Sequence, residues 1–420
     1  MVETMLEADT SAAAVGGHRE PVKAEVAIGV VGGHRREAVE AAIGGAVTAA
    51  VRHRFASAVV LIGTTDESAS GLPSELEGIE RPDWLSVVVA DPTVSPPTGD
   101  SGPGAAIRRL LETARNLDVK ALAVIDGGAP AVDVGLLLHA LLGREIDFAA
   151  PFYRRQRFGG AVTRGILYPL TRSLYGKRVR YPIGTEFGCS ARMVARLLTR
   201  PGWSEEATRT AAELSLFVEA VVSGLKLGQV VTGTKALVGV DLGDDLTQVL
   251  HGVLSPVFTE VERRVPVWQK IRGSEPVELV GTPTPIETVA EPFAPEAMLD
   301  AFRLGQQSLA EVWGLVLPPS ALLELKRLAQ ASAPTQIADQ LWARIVYDFA
   351  LAYHTRVMSR DHLLAAFRPL YLGWFGSFIR EMAAADSMAL EQRGEKLCLA
   401  YEAEKPYFIS RWRWPDRFSP

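Results

Sequence analysis

The chain has 420 residues, a formal net charge of −5 and 48% apolar residues, which suits two or three globular domains with a sizeable core. This balance excludes a strongly basic nucleic-acid binder, and no run of 18 uninterrupted apolar residues offers an integral membrane segment. Two cysteines, Cys189 and Cys398, are too few for a disulfide framework or a cysteine zinc site, so a reducing, cytoplasmic setting is expected.

Residues 1–24 are rich in Ala, Gly and Glu without periodicity and read as a disordered tail that lacks the features of a signal peptide. EVAIGVV (25–31) is rich in β-formers and ends at Gly32 and Gly33. REAVEAAIGGAVTAAVRHRF (36–55) carries Val39, Ile43, Val47 and Val51 at four-residue steps, which predicts a helix with one buried face. SAVVLIGT (57–64), WLSVVVAD (84–91) and VKALAVID (119–126) predict buried strands, with a helix over 104–117 before the last. Strands alternating with helices at this spacing imply βαβ units and a mostly parallel sheet with helices on both faces. Ligands bind beyond the carboxyl ends of such strands. Residues 32–35, 64–66, Asp91 and Asp126 should therefore gather on one rim.

Further on, helices near 205–224 and 244–264 flank a strand at 227–235. Residues 274–295 hold five prolines and read as a linker. The expected division is an α/β domain over 25–273, that linker, and an α-helical domain over 296–420. Within the helical part, Leu364, Phe367, Leu370, Tyr371, Trp374, Phe378 and Met382 share one face. This stripe reads either as core or as a self-association surface, and a homo-oligomer is the expected assembly.

Residues 151–180 hold Arg154, Arg155, Arg157, Arg164, Arg172, Lys177, Arg178 and Arg180 without one acid. Either these arginines form a solvated face with their stems over apolar surface, or they grip phosphate or carboxylate in bidentate fashion. Asp126, followed by Gly127 and Gly128, is either the capped polar end of a strand or a ligand-facing carboxylate. His34 reads as a loop residue or a ligand contact, Asp66 as a turn acid or a nucleotide contact, and Glu186 as an acid that can pair with Arg180.

The passage GGAVTRGILYPLTRSLYGKRVRYPIGTEFGCS (159–190) resembles a block in GT-A-type nucleotide-sugar glycosyltransferases related to mannosylglycerate synthase and glucosyl-3-phosphoglycerate synthase. LWARIVYDFALAYH (341–354) and RDHLLAAFRPLYLG (360–373) resemble the helical C-terminal region of the same group, so the likeness spans residues 25–412. The resemblance implies a GT-A fold: a Rossmann-like α/β domain followed by a helical one. It also implies transfer of a sugar from a nucleoside-diphosphate sugar to a small acidic or phosphorylated acceptor, with retention of anomeric configuration.

In that family an Asp-x-Asp motif and a later His hold a divalent cation, magnesium or manganese, against the diphosphate. Here the matching positions read Asp126-Gly127-Gly128 and Lys235-Ala236-Leu237, and Pro103 replaces a lysine. Asp126 is the one metal-ligand position retained, and one carboxylate plus water is a weak site. Without a cation, Asp126 would repel a phosphate charge 4 Å away by about 4 kcal/mol at an effective dielectric constant of 20. The resemblance assigns the nucleotide-sugar to Gly33, His34, Arg35, Asp66 and Asp126, and the acceptor to Arg157, Gly184, Thr185 and Glu186. Asp126, Glu186 and Glu213 are its candidate catalytic acids. His34, Arg35 and Arg36 are candidates to neutralise the diphosphate without metal. The alternative is a catalytically degenerate homologue that serves as a nucleotide-binding or protein-interaction module.

Overall fold

The structure is a computed structural model that describes residues 24–31, 36–63, 81–90, 103–127, 133–154, 157–184, 186–200, 209–234, 246–283, 293–331 and 336–415. The first half alternates strand and helix: β1 (Val26–Val31), α1 (Arg36–His53), β2 (Ala58–Gly63), β3 (Leu85–Val89), α2 (Pro103–Asn116), β4 (Ala121–Asp126), α3 (Val134–Gly143) and β5 (Phe148–Arg154). A π-helical turn (Thr163–Leu167) runs into α4 (Tyr168–Tyr175), followed by β6 (Lys177–Arg178), β7 (Phe187–Ser190), α5 (Ala191–Thr199), α6 (Arg209–Val222) and β8 (Leu227–Thr234). Helices α7 (Leu246–Arg263) and α8 (Val265–Trp268) precede β9 (Glu275–Pro276) and β10 (Glu278–Val280). The last part comprises α9 (Pro295–Gly314), α10 (Pro319–Gln330), α11 (Asp339–Thr355), α12 (Arg360–Met382) and α13 (Ser387–Arg413).

Eight strands form one sheet in the order β10-β8-β5-β7-β4-β1-β2-β3. All are parallel except β7, which runs antiparallel to both β4 and β5. VAIGVV and AVVLIG are buried at every position, as strands covered on both faces must be. Helices α1 and α3 cover one face through Ile43, Val47, Leu137 and Leu141. Helices α2, α5 and α6 cover the other, and their core continues without a break into α9 through α13. The α/β class with a mostly parallel sheet, helices on both faces and a helical C-terminal region is the GT-A-like arrangement expected from the sequence.

Two details differ from the sequence reading, and a third decides between its alternatives. Val51 is exposed while Ile43 and Val47 are buried, because four-residue steps drift by about 40° each around a helix of 3.6 residues per turn. Residues 275–280, inside the segment read as a linker, form β9 and β10, and β10 extends the main sheet alongside β8. The aromatic stripe of α12 is core: Phe367, Leu370, Tyr371 and Trp374 are fully buried, with Phe378 and Met382 nearly so. It therefore offers no surface for self-association. Among the described residues no helix is long and apolar enough to cross a membrane.

Candidate functional site

Parallel pairing brings the carboxyl ends of β1, β4 and β5 to one rim, where the antiparallel β7 begins. Asp126 ends β4, half-buried and in register with Val31. The Gly127 N–H donates to the Val31 carbonyl at 2.9 Å, so the turn after Asp126 is tied to β1. Alternation along the strand puts Asp126 on the face of Leu122 and Val124, the face that α2, α5 and α6 cover. Pairing of Val124 with Phe187 brings Asp126 to the same rim as the turn that enters β7.

That turn contains Gly184 and Glu186. A Cβ on Gly184 would lie 2.8 Å from Pro151 Cγ and 2.9 Å from the Glu186 carbonyl oxygen, so glycine is required by the close approach to β5. Glu186 is 1% exposed, and its carboxylate accepts a hydrogen bond from the Tyr153 hydroxyl. A carboxylate buried this deeply needs such a donor. Tyr153 reaches it at an irregularity in the β5–β8 pairing between Phe152 and Tyr153. The residue passed over there is Thr232 of β8, and the neighbouring Phe152 and Tyr153 of β5 both line one cavity.

The cavity measures about 380 Å³ and opens where the end of β5 meets the start of α13. Arg154, Arg157, Arg164 and Arg180 line it, against Glu391 as the carboxylate in its wall. Arg157 Nη2 donates to the carbonyls of Met382 and Ala385, at 2.5 Å for Ala385. Its charge meets the carbonyl end of α12, where a cation is favoured. Arg180 pairs with Glu391. Glu213 is buried on α6, which packs on α2 and α7.

Gly33, His34, Arg35, Asp66 and Thr185 lie outside the described residues, as do Gly128, Lys235 and Leu237. Of the remaining candidates, Asp126, Gly184 and Glu186 gather on the rim, and Arg157 lines the adjoining cavity. Among the described residues no group of three His, Cys, Asp or Glu side chains converges as a metal site would require. Hard cations are held by several oxygens, and Asp126 brings one carboxylate while Glu186 is engaged by Tyr153. The described donors do not fit a divalent cation.

The basic segment is neither a solvated face nor an open anion grip along most of its length. Fully buried Arg172 binds Glu395 through Nη1 and Nη2 and Glu402 through Nε. Lys177 pairs with Glu275, and Arg178 Nε donates to Ser274 Oγ at 3.1 Å. The acids that answer this segment sit largely on α13. Glu391, Glu395 and Glu402 are spaced to share one helix face, which is a signal the sequence did carry. Tyr153 and the first turn of α13, both parts of the cavity, had no such signal.

No protein-family model matches the chain, and no curated protein matches it. Solved structures do. Glucosyl-3-phosphoglycerate synthase from Mycobacterium tuberculosis in complex with phosphoglyceric acid is 20% identical with a TM-score of 0.42, covering 57% of this chain and 80% of that one. The same enzyme in complex with Mg2+ and uridine-diphosphate is 22% identical with a TM-score of 0.41, covering 57% and 79%. A further mycobacterial protein is 20% identical with a TM-score of 0.40, covering 58% and 76%. Likeness at this level leaves the activity of this chain to its own residues.

Proposed function

We propose that the chain is a nucleotide-sugar glycosyltransferase that moves a sugar from a nucleoside diphosphate to a small acidic or phosphorylated acceptor. The reading further holds that transfer retains anomeric configuration and proceeds without an obligatory metal. One observation carries it: the rim acids Asp126 and Glu186 stand beside an arginine-lined cavity at the end of β5. One strand, β7, separates β4 from β5, so the two places lie about 10 Å apart at normal strand spacing. That gap suits one sugar ring between a donor diphosphate and an acceptor acid.

In the reaction, the bond from the anomeric carbon to the diphosphate oxygen breaks and a bond to the acceptor hydroxyl oxygen forms. The hydroxyl proton passes to the departing diphosphate oxygen, on which negative charge grows as its bond breaks. The sequence places His34, Arg35 and Arg36 directly after β1, at the end of the rim where that charge would appear, with Gly33 and Asp66 as further donor contacts. Glu186, held by Tyr153, would orient the acceptor hydroxyl together with Gly184 and Thr185. Arg157 would draw the acceptor's negative charge, and Glu213 is the third acid kept in the set.

Titration calorimetry with UDP and GDP, with EDTA or with manganese, tests the donor side. One of them should bind in EDTA within about threefold of its affinity with manganese, a difference of less than 1 kcal/mol. Hydrolysis or transfer from the corresponding nucleotide-sugar should persist in EDTA, with the product anomer read by proton NMR. Failure of every nucleotide to bind would overturn the transferase reading, and strict metal dependence would overturn its metal-free part. The second reading, a nucleotide-binding or protein-interaction module without catalysis, draws on the lack of a converging metal-ligand group among the described residues. Nucleotide binding with no turnover of any nucleotide-sugar would favour it.

A further inference from the structure

The cavity beside β5 has two kinds of wall. Four arginines against one glutamate make one part cationic, which calls for an anionic group on the ligand. The rest is apolar: Phe152 from the end of β5, Met388 and Leu390 from the first turn of α13, and Pro283 from the segment after β10. Met388 is 67% exposed and so presents its apolar side chain at the cavity mouth. Tyr153 and Tyr181, with ring centroids 5.1 Å apart, add two aromatic faces. The volume of about 380 Å³ falls in the range of roughly 300–1,000 Å³ typical of sites that enclose drug-sized ligands.

Arg157 is fixed by the carbonyls of Met382 and Ala385, and Arg180 by Glu391. These two contacts hold the 382–391 turn in place and so shape the apolar wall. A ligand that carries several charges and no apolar part would leave Phe152, Met388 and Leu390 against polar groups.

Resting on the transferase reading, we infer that the acceptor is an organic acid with a substantial apolar body, an aliphatic chain or ring, and not a compact polar acid. The acid group meets the arginine side, and the apolar body lies on Phe152, Met388 and Leu390. Its hydroxyl then points along the rim toward Glu186, whose carboxylate is fixed by Tyr153.

A binding series tests this without any turnover. Acetate, butyrate, hexanoate, octanoate and 3-phenylpropionate are titrated into the full chain by calorimetry, with 3-phosphoglycerate as the compact polar acid. Affinity should rise about fourfold for each methylene that enters the cavity. Octanoate and 3-phenylpropionate should bind more tightly than 3-phosphoglycerate. Met388→Ala, an exposed position whose change spares the core, should weaken octanoate about fivefold while leaving acetate unchanged. A flat series, or tighter binding of 3-phosphoglycerate, would overturn the inference. UDP or GDP binding is measured on the same preparation. Nucleotide binding with a flat acid series sinks this inference alone, whereas a rising series without any nucleotide binding sinks the transferase reading and keeps the assignment of the cavity.

Discussion

Arg172 is the strongest test of what the basic segment does. Its side chain is 0% exposed, and Nη1 and Nη2 grip Glu395 at 2.6 and 2.8 Å while Nε reaches Glu402 at 2.7 Å. Replacement by leucine removes a buried cation, leaves the space of its guanidinium unfilled and strands the two acids. Glu395 is about half exposed and can be rehydrated, so its share is about 1 kcal/mol. Glu402 is 17% exposed and keeps a hydrogen bond from Ser274 Oγ, so leaving it without the guanidinium costs about 2–3 kcal/mol. The expected loss is about 3–4 kcal/mol, a large part of the roughly 5–15 kcal/mol that stabilises a typical protein. Urea denaturation followed by tryptophan fluorescence reads it, with Arg172→Lys losing less because it keeps the cation, although one ammonium cannot reproduce the bidentate fork. The Glu395 carboxyl is held below its ordinary value first by the hydrogen bond from Arg172. A depressed carboxylate stabilises above the unfolded-state value near 4.5 and loses that contribution as pH falls through its folded value. Arg172→Leu should therefore also reduce the acid sensitivity of the urea midpoint. A loss below about 1 kcal/mol, or lost anion binding with unchanged stability, would refute the clamp and return Arg172 to ligand recognition.

Two further outcomes are expected. Gly165 lies against the indole of Trp374, and its carbonyl accepts from Trp342 Nε1 at 2.9 Å and from the Tyr401 hydroxyl at 3.1 Å; Gly165→Ala should cost about 1–3 kcal/mol by overpacking and increase proteolysis within α11–α13, and an unchanged midpoint would contradict this packing. On the opposite face of the sheet, His139 stands 5.0 Å from His53, and burial, then the charge of His53, hold its pKa below 6.5. The unfolded chain binds that proton more tightly, so stability should decline as pH drops below about 6.5 and through the folded value; His139→Gln should flatten that part of the profile, and an identical profile would exclude the residue.

The sheet was legible where a strand is buried on both faces, because β1, β2 and β4 then appear as uninterrupted apolar runs. Asp126 was placeable for the same reason, as the first acid after such a run. The antiparallel β7 was not. Its four residues FGCS hold no period of their own, and pairing with β4 and β5 decides their direction. Glu186 could be named from the turn that the resemblance covers, but its partner Tyr153 stands where the β5–β8 pairing skips Thr232, which nothing in FAAPFYR announces. The basic segment misled in a physical way. Charge density along the chain says that partners are needed, and not whether they are ligands or acids more than 200 residues away on α13.

The block with the clearest family resemblance is also the seam of the molecule. Within it, Gly165 receives Trp342 and Tyr401, Ser173 meets the Tyr347 hydroxyl at 2.8 Å, and Lys405 donates to the Ser173 carbonyl at 2.6 Å. Arg172 and Arg180 then bind three acids of α13. The same short stretch thus anchors the helical region and, through Arg164, Arg180 and Tyr181, forms part of the cavity wall. Docking of α13 and the shape of the cavity are therefore one structural property. A substitution that loosens the clamp at Arg172 lets the first turn of α13 shift, and Met388 and Leu390 shift with it. The shape of the cavity can then change through residues that do not line it, Arg172 among them.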